Sequence, residues 1–135
     1  MPALNSLAAQ TFEGTDTYAD RVHFVQVYVI EPHPEAPTPS PYGGRVREAA
    51  FSDRGQAMTY DERVTFARDV EPLITGGQLL LVDDLRPRDL DNPAWCTYGP
   101  CPNCGFLIAQ DGTLHTVQTW LDVGDMQREI DDLLR

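Results

Sequence analysis

The sequence predicts an α/β domain in which parallel strands are followed by an antiparallel pair, and three stretches carry that prediction. Val22 to Ile30, VHFVQVYVI, is almost continuously apolar and rich in β-branched and aromatic residues. That is the pattern of a strand covered on both faces, as in a parallel sheet. Thr59 and Glu62 form the T-x-x-E capping box that opens a helix. Asp111-Gly112, between two apolar runs, is the preferred two-residue hairpin turn.

In chain order, Leu4, Leu7, Ala8 and Phe12 mark one face of a short helix from about Pro2 to Phe12. Pro2 suits the first turn. The helix ends near Gly14, and Thr15 to Asp20 read as a turn. The strand Val22 to Ile30 leads into Glu31 to Met58, with prolines at 32, 34, 37, 39 and 41 and then Gly43-Gly44. Alternate prolines forbid a helix and remove ladder donors, so this is a long loop. It starts at the C-terminal end of a parallel strand, where α/β sheets place ligands.

Val64, Ala67, Val70 and Ile74 give the next helix its face, with Pro72 in its last turn. The charges between Asp61 and Asp69 read as its solvated side. Gln78 to Val82 is a second buried strand closed by Asp83-Asp84, and Leu85 to Asn92 is a polar connection. Phe106 to Ala109 and Leu114 to Trp120 form the hairpin. Asp122 caps a last helix faced by Val123, Met126, Ile130, Leu133 and Leu134.

With 135 residues, 41% hydrophobic and 23% charged, the chain fits one globular domain with a real core. A net charge of -11 argues against nucleic acid and anionic membrane surfaces as partners. All 10 basic residues are arginine, which reads as a habitat or codon bias. No apolar run approaches the ~20 residues of a membrane span, and MPALNSLAAQ lacks the features of a signal peptide. The default compartment is the cytoplasm, where thiols stay reduced unless catalytic.

The string VHFVQVYVIEPHP resembles the strand and Glu-x-His-Pro turn of the redoxin and deiodinase-like branches of the thioredoxin-fold superfamily. YGPCPNCGFLIAQDGTL resembles their Tyr-Gly, proline and Asp-Gly hairpin, and PALNSLA the helix after the catalytic cysteine or selenocysteine. The resemblance covers nearly the whole chain. It implies a thioredoxin-like three-layer α/β/α fold with a mixed sheet, and a cis-proline, Pro102, against the redox centre. It also places Glu31 and His33 in the active-site region, with His33 as proton donor or orienting group.

In such folds a central strand and the nucleophile loop precede the first helix, whose first turn here holds Met1. The expectation is therefore an N-terminally truncated fold whose strands form two pairs with a gap. Three outcomes follow: direct pairing of the halves, a homodimer that fills the gap, or a true start upstream. A selenocysteine codon read as a stop would produce the third.

Cys101-Pro-Asn-Cys104 is a C-x-x-C motif that leads into a strand, not a helix. Three extended steps of ~3.3 Å separate the Cα atoms by roughly 10 Å, beyond the ~7 Å a disulfide tolerates. A cis peptide at Pro102 would shorten that path. Cys101 would attack, and Cys104 or Cys96 would resolve; inert packed thiols are the bland alternative.

Cys96, Cys101 and Cys104 also give C-x4-C-x2-C, which His33 or His115 would complete as a Cys3His zinc set. The primary reading implies no metal and no cofactor. Tyr98, Tyr42 and Pro102 are candidate substrate-binding residues. His23 and His115 read as strand-surface residues, and Trp95, Trp120, Tyr28 and Tyr98 as core or pocket wall.

Two functions remain: a thiol-dependent oxidoreductase acting on a disulfide, a peroxide or a carbon–halogen bond, and a non-catalytic thioredoxin-like binding or dimerisation module. The first takes a small-molecule or protein disulfide as its partner.

Overall fold

The computed structural model describes residues 1–31, 54–85, 92–99 and 103–135. It is α/β in class, with mixed helices and small sheets. In order it runs α1 (Pro2–Ala9), β1 (Thr11–Phe12), β2 (Asp16–Thr17), α2 (Tyr18–Arg21), β3 (Val25–Tyr28), α3 (Tyr60–Val70), a 3-10 turn (Glu71–Leu73), β4 (Leu79–Val82), α4 (Pro93–Tyr98), β5 (Gly105–Ile108), β6 (Leu114–Gln118) and α5 (Val123–Leu134). Among the described residues the strands form three separate pairs: β1 with β2, β3 with β4, and β5 with β6. The chain divides into two compact units. One comprises Met1–Gln26, Leu73–Leu79 and Cys101–Arg135; the other comprises Val27–Pro72 and Leu80–Pro100.

In the first unit, α1 is shorter than its apolar spacing predicts. Phe12 leaves the helix and enters a small hairpin, with Phe12 opposite Asp16 and Thr11 opposite Thr17. Glu13 (φ 48°) and Gly14 (φ 88°) are both left-handed at its turn. Phe12 is buried all the same, edge-on to Tyr18 at 5.5 Å between ring centroids. The residues expected as a plain turn carry β2 and α2, and Thr17 with Asp20 makes a capping box there.

The core of this unit joins Leu7, Ala8, Phe12, Tyr18 and Phe24 to Leu107, Met126 and Ile130. Tyr18 sends its hydroxyl to Asp131 at 2.6 Å, which gives the buried phenol its partner. Asp122 accepts the Asp125 N–H at 2.9 Å and so caps α5. Leu133, placed on that helix's apolar face by its spacing, is exposed.

The β5–β6 pair is antiparallel, with Phe106 opposite Val117 and Leu107 opposite Thr116. Its turn is three residues long, because the Ala109 N–H donates to Thr113 O. Gly112 (φ 85°) takes the left-handed position, and Asp111 Oδ1 accepts from the Thr113 N–H and hydroxyl.

Leu79 N–H donates to Phe24 O, and Asp83 N–H to Tyr28 O, so β3 and β4 advance together and are parallel. Neither strand is covered on both faces. Val25, Val27, Leu79 and Leu81 are 42–54% exposed, while their alternates are half-buried. The apolar runs predicted a two-sided sheet; the strands have the period-two burial of a one-sided one.

In the second unit, the capping box at α3 is present as predicted. Glu62 N–H donates to Thr59 Oγ1 at 3.2 Å, and Thr59 N–H to Glu62 Oε2 at 3.2 Å. The buried face is Arg63, Ala67 and Val70, so Arg63 is a correction to the solvated reading of the charges on this helix.

Asn5 ties α1 to the turn before β4, donating to Leu73 O at 2.8 Å and accepting from Gln78 Nε2 at 2.6 Å. Gly76 sits in that turn at φ +78°, where a Cβ would lie 3.1 Å from Ala8 Cβ and 3.2 Å from Asn5 O. Gly76→Ala is expected to lower stability by about 2 kcal/mol, from left-handed strain plus contact. Urea denaturation measures it, and an unchanged midpoint contradicts the packing described.

Candidate functional site

The second unit gathers polar side chains at the ends of β3 and β4. Asp83, immediately after β4, is 4% exposed. Its carboxylate accepts the N–H groups of Ala94 at 2.8 Å and Trp95 at 3.0 Å. These are first-turn donors of α4, which a six-residue helix leaves unsatisfied. Asn92, the formal N-cap, makes no cap bond of its own. Its side-chain oxygen instead accepts Arg63 Nη2 at 2.6 Å.

Arg63 Nη1 donates to the carbonyls of Asp83 at 3.3 Å and Asp84 at 3.0 Å. Arg63 is 2% exposed, and its Nε–H has no hydrogen-bond partner. Burial draws the Arg63 pKa down, and Asp83, Glu31 and Asp84 pull it back up. The guanidinium stays charged, because an arginine starts so far above neutrality. One buried arginine thus fixes the end of β4 and the start of α4.

Glu31 lies in the same unit, just past β3. Tyr28 donates its hydroxyl to Glu31 Oε1. Gln56 brackets the Glu31 backbone: the Glu31 N–H donates to Gln56 Oε1 at 2.9 Å, and Gln56 Nε2 donates to Glu31 O. Burial raises the Glu31 pKa from its ordinary 4.5 to about 7, against the opposing pull of Arg54 and Arg63. Arg54 is itself bonded to Asp69 at 2.9 Å and lies over the Phe66 ring at 4.5 Å. A carboxyl titrating in this range exchanges a proton at neutral pH.

Of the other sequence-predicted residues, Cys96 is a free, exposed thiol on α4, and Tyr98 ends that helix with 54% exposure. The expectation of packed thiols therefore fails for Cys96. Trp95 is half-buried, whereas Trp120 is 68% exposed and is no core residue. In the first unit, Cys104 directly precedes β5 and is disulfide-bonded. His115 is exposed on β6 and faces Glu129 at 3.1 Å, and His23 is exposed too. His33, Tyr42, Cys101 and Pro102 lie outside the described residues. Among the described residues no group of three or more His, Cys, Asp or Glu is placed to hold a metal ion, and no helix is long and apolar enough to cross a membrane.

Sequence reasoning singled out Glu31 and Cys96 but missed Arg63, Asp83 and Gln56. For Arg63 a signal existed: positions 63, 67 and 70 share a helical face as well as 64, 67 and 70 do. The arginine's charge argued against choosing it. For Asp83 and Gln56 the partners are backbone groups distant in sequence, which leave no pattern in the chain.

The raised Glu31 pKa has a thermodynamic sign. The folded state holds the proton up to about pH 7, and the unfolded state releases it near 4.5. The stability due to the neutral carboxyl is complete below 4.5 and is lost as pH rises to about 7. Partial exposure screens the effect to about 1 to 2 kcal/mol. Glu31→Gln is expected to abolish this part of the slope in urea denaturation between about pH 5 and about pH 8; an identical slope in both proteins contradicts the assignment. Comparison with family models, with curated proteins and with solved structures finds no significant match to this chain.

Proposed function

We propose that the protein is a thiol-dependent oxidoreductase of thioredoxin type, with Cys101 and Cys104 as its redox pair and a thioredoxin-like fold as its frame. The observation that carries the reading is that Cys104 is disulfide-bonded while Cys96 is a free thiol. A chain with three cysteines that holds Cys104 in a disulfide and Cys96 as a free thiol has the parts of an exchange reaction. In the reduced protein the Cys101 thiolate attacks a substrate disulfide and forms a mixed disulfide. The departing thiolate takes up a proton. Cys104 then attacks Cys101, the second substrate thiol leaves, and the protein ends with its own disulfide. Two electrons and two protons pass to the substrate, and a thiol or dithiol donor restores the protein. A peroxide accepts the same two electrons to give an alcohol and water. A carbon–halogen bond would give a carbon–hydrogen bond and halide.

Glu31 and His33 are given the acid–base role that the thioredoxin-fold resemblance implies, and the Glu31 carboxyl titrates at about 7. Tyr98, Tyr42 and Pro102 would contact substrate. A Cys3His zinc site at Cys96, Cys101 and Cys104 requires Cys104 to be a thiolate, so its disulfide weighs against that alternative. The exposed apolar residues Val25, Val27, Leu79 and Leu81 favour a second reading, a module that covers this sheet face by dimerising.

Thiol counting under denaturing conditions tests the redox reading. The expected result is one thiol per chain before reduction and three after it, as the free Cys96 and the total of three cysteines require. Cys104→Ser is expected to reduce a model disulfide no faster than the uncatalysed rate, whereas the wild type does so catalytically. A Cys104→Ser protein as active as the wild type, or a wild type that transfers no electrons to disulfide, peroxide or alkyl halide, overturns it.

A further inference from the structure

Glu31 and Gln56 are 25 positions apart, yet one amide side chain meets both the N–H and the carbonyl of the same residue. An amide used this way stands in for a strand neighbour: it offers one acceptor and one donor at backbone spacing. Gln56 thereby fixes the backbone of Glu31 and the direction in which its side chain leaves. The carboxyl then lies beside the Tyr28 hydroxyl. Without the bracket, the residue after β3 has free torsions, and a carboxyl so released turns to water.

We propose that Gln56 is a positioning residue that holds Glu31 in its partly buried place against Tyr28 and thereby makes that carboxyl the proton-exchanging group of the unit. Among the described residues, the groups facing Glu31 are the Tyr28 hydroxyl from β3, Arg54 from the stretch that carries Gln56, and Arg63 from α3. Both arginines favour the ionised carboxyl, so only burial keeps the proton on at neutrality. Burial depends on the backbone being held, and that is what Gln56 does. Using this proton in thiol exchange rests on the function proposed above. The placement of the carboxyl does not, and it is read on the resting protein.

The test is a carbon-13 NMR titration of the Glu31 side-chain carboxyl, with folding checked by circular dichroism. In the wild type it is expected to titrate at about 7. Gln56→Met keeps the bulk and loses both hydrogen bonds; it is expected to lower the midpoint by about one pH unit or more, toward the ordinary value. Tyr28→Phe removes a donor to the carboxylate and is expected to move the midpoint the other way, upward. A wild-type midpoint near 4.5, or a folded Gln56→Met protein that still titrates at about 7, overturns the proposal. If Gln56→Met fails to fold, the wild-type midpoint and the direction of the Tyr28→Phe shift decide it, and a downward shift counts against it. A protein inactive toward disulfides but with these titrations intact removes the redox reading and leaves the positioning role standing.

Discussion

A buried charge has to be solvated by the protein, and in the second unit that requirement fixes the local architecture. Arg63 projects from the buried face of α3 and finds carbonyls at the end of β4 and the side chain of Asn92. Its acceptors are neutral oxygens at fixed points of the backbone, so satisfying the guanidinium sets where β4 stops and where α4 starts. Asp83 adds the opposite half of the device, a buried carboxylate satisfied by two helix N–H groups. Each charge is stable because the other segment supplies its hydrogen bonds. Six-residue α4 has little intrinsic stability, and this external cap is what defines it.

The sheets have a different logic. Among the described residues the strands form three two-stranded pairs, and a two-stranded pair is marginal unless something packs on it. The β5–β6 hairpin turns Leu107 into a core shared with α1 and α5, so one of its faces is secured. The β3–β4 pair keeps four aliphatic side chains exposed on one face. Exposed aliphatic side chains are costly in water, and they give the dimerising alternative its physical motive.

Most of the element order was legible in the sequence, and its legible parts share a property: the signal is local. The box of Thr59 and Glu62, the cap at Asp122 and the hairpin at Asp111-Gly112 involve residues within four positions of each other; the first two are present as predicted, and the hairpin is present with a turn of three residues instead of two. Failures occurred where a pattern admits two folds. Phe12 is buried from a short strand as effectively as from a helix, so the apolar spacing could not separate them. The run from Val22 to Ile30 predicted a strand covered on both faces, but composition does not say how many strands or helices are present to cover it. The candidate site was legible only at Glu31 and the cysteines. Arg63, Asp83 and Gln56 act through backbone partners 11 to 25 positions away, which no motif encodes.

The neutral-range carboxyl follows from how nearby cations are employed, not from their scarcity. Among the described residues two arginines act on Glu31, and a freely placed guanidinium would hold a carboxyl well below its ordinary value. Arg63 instead spends its hydrogen bonds on carbonyls and Asn92. Arg54 lies over the Phe66 ring and bonds to Asp69, so its charge reaches Glu31 partly offset by another carboxylate. Desolvation then outweighs attraction, and the proton stays on to about pH 7. The two arginines that hold this scaffold together therefore oppose the proton on Glu31, and burial of the carboxyl outweighs them.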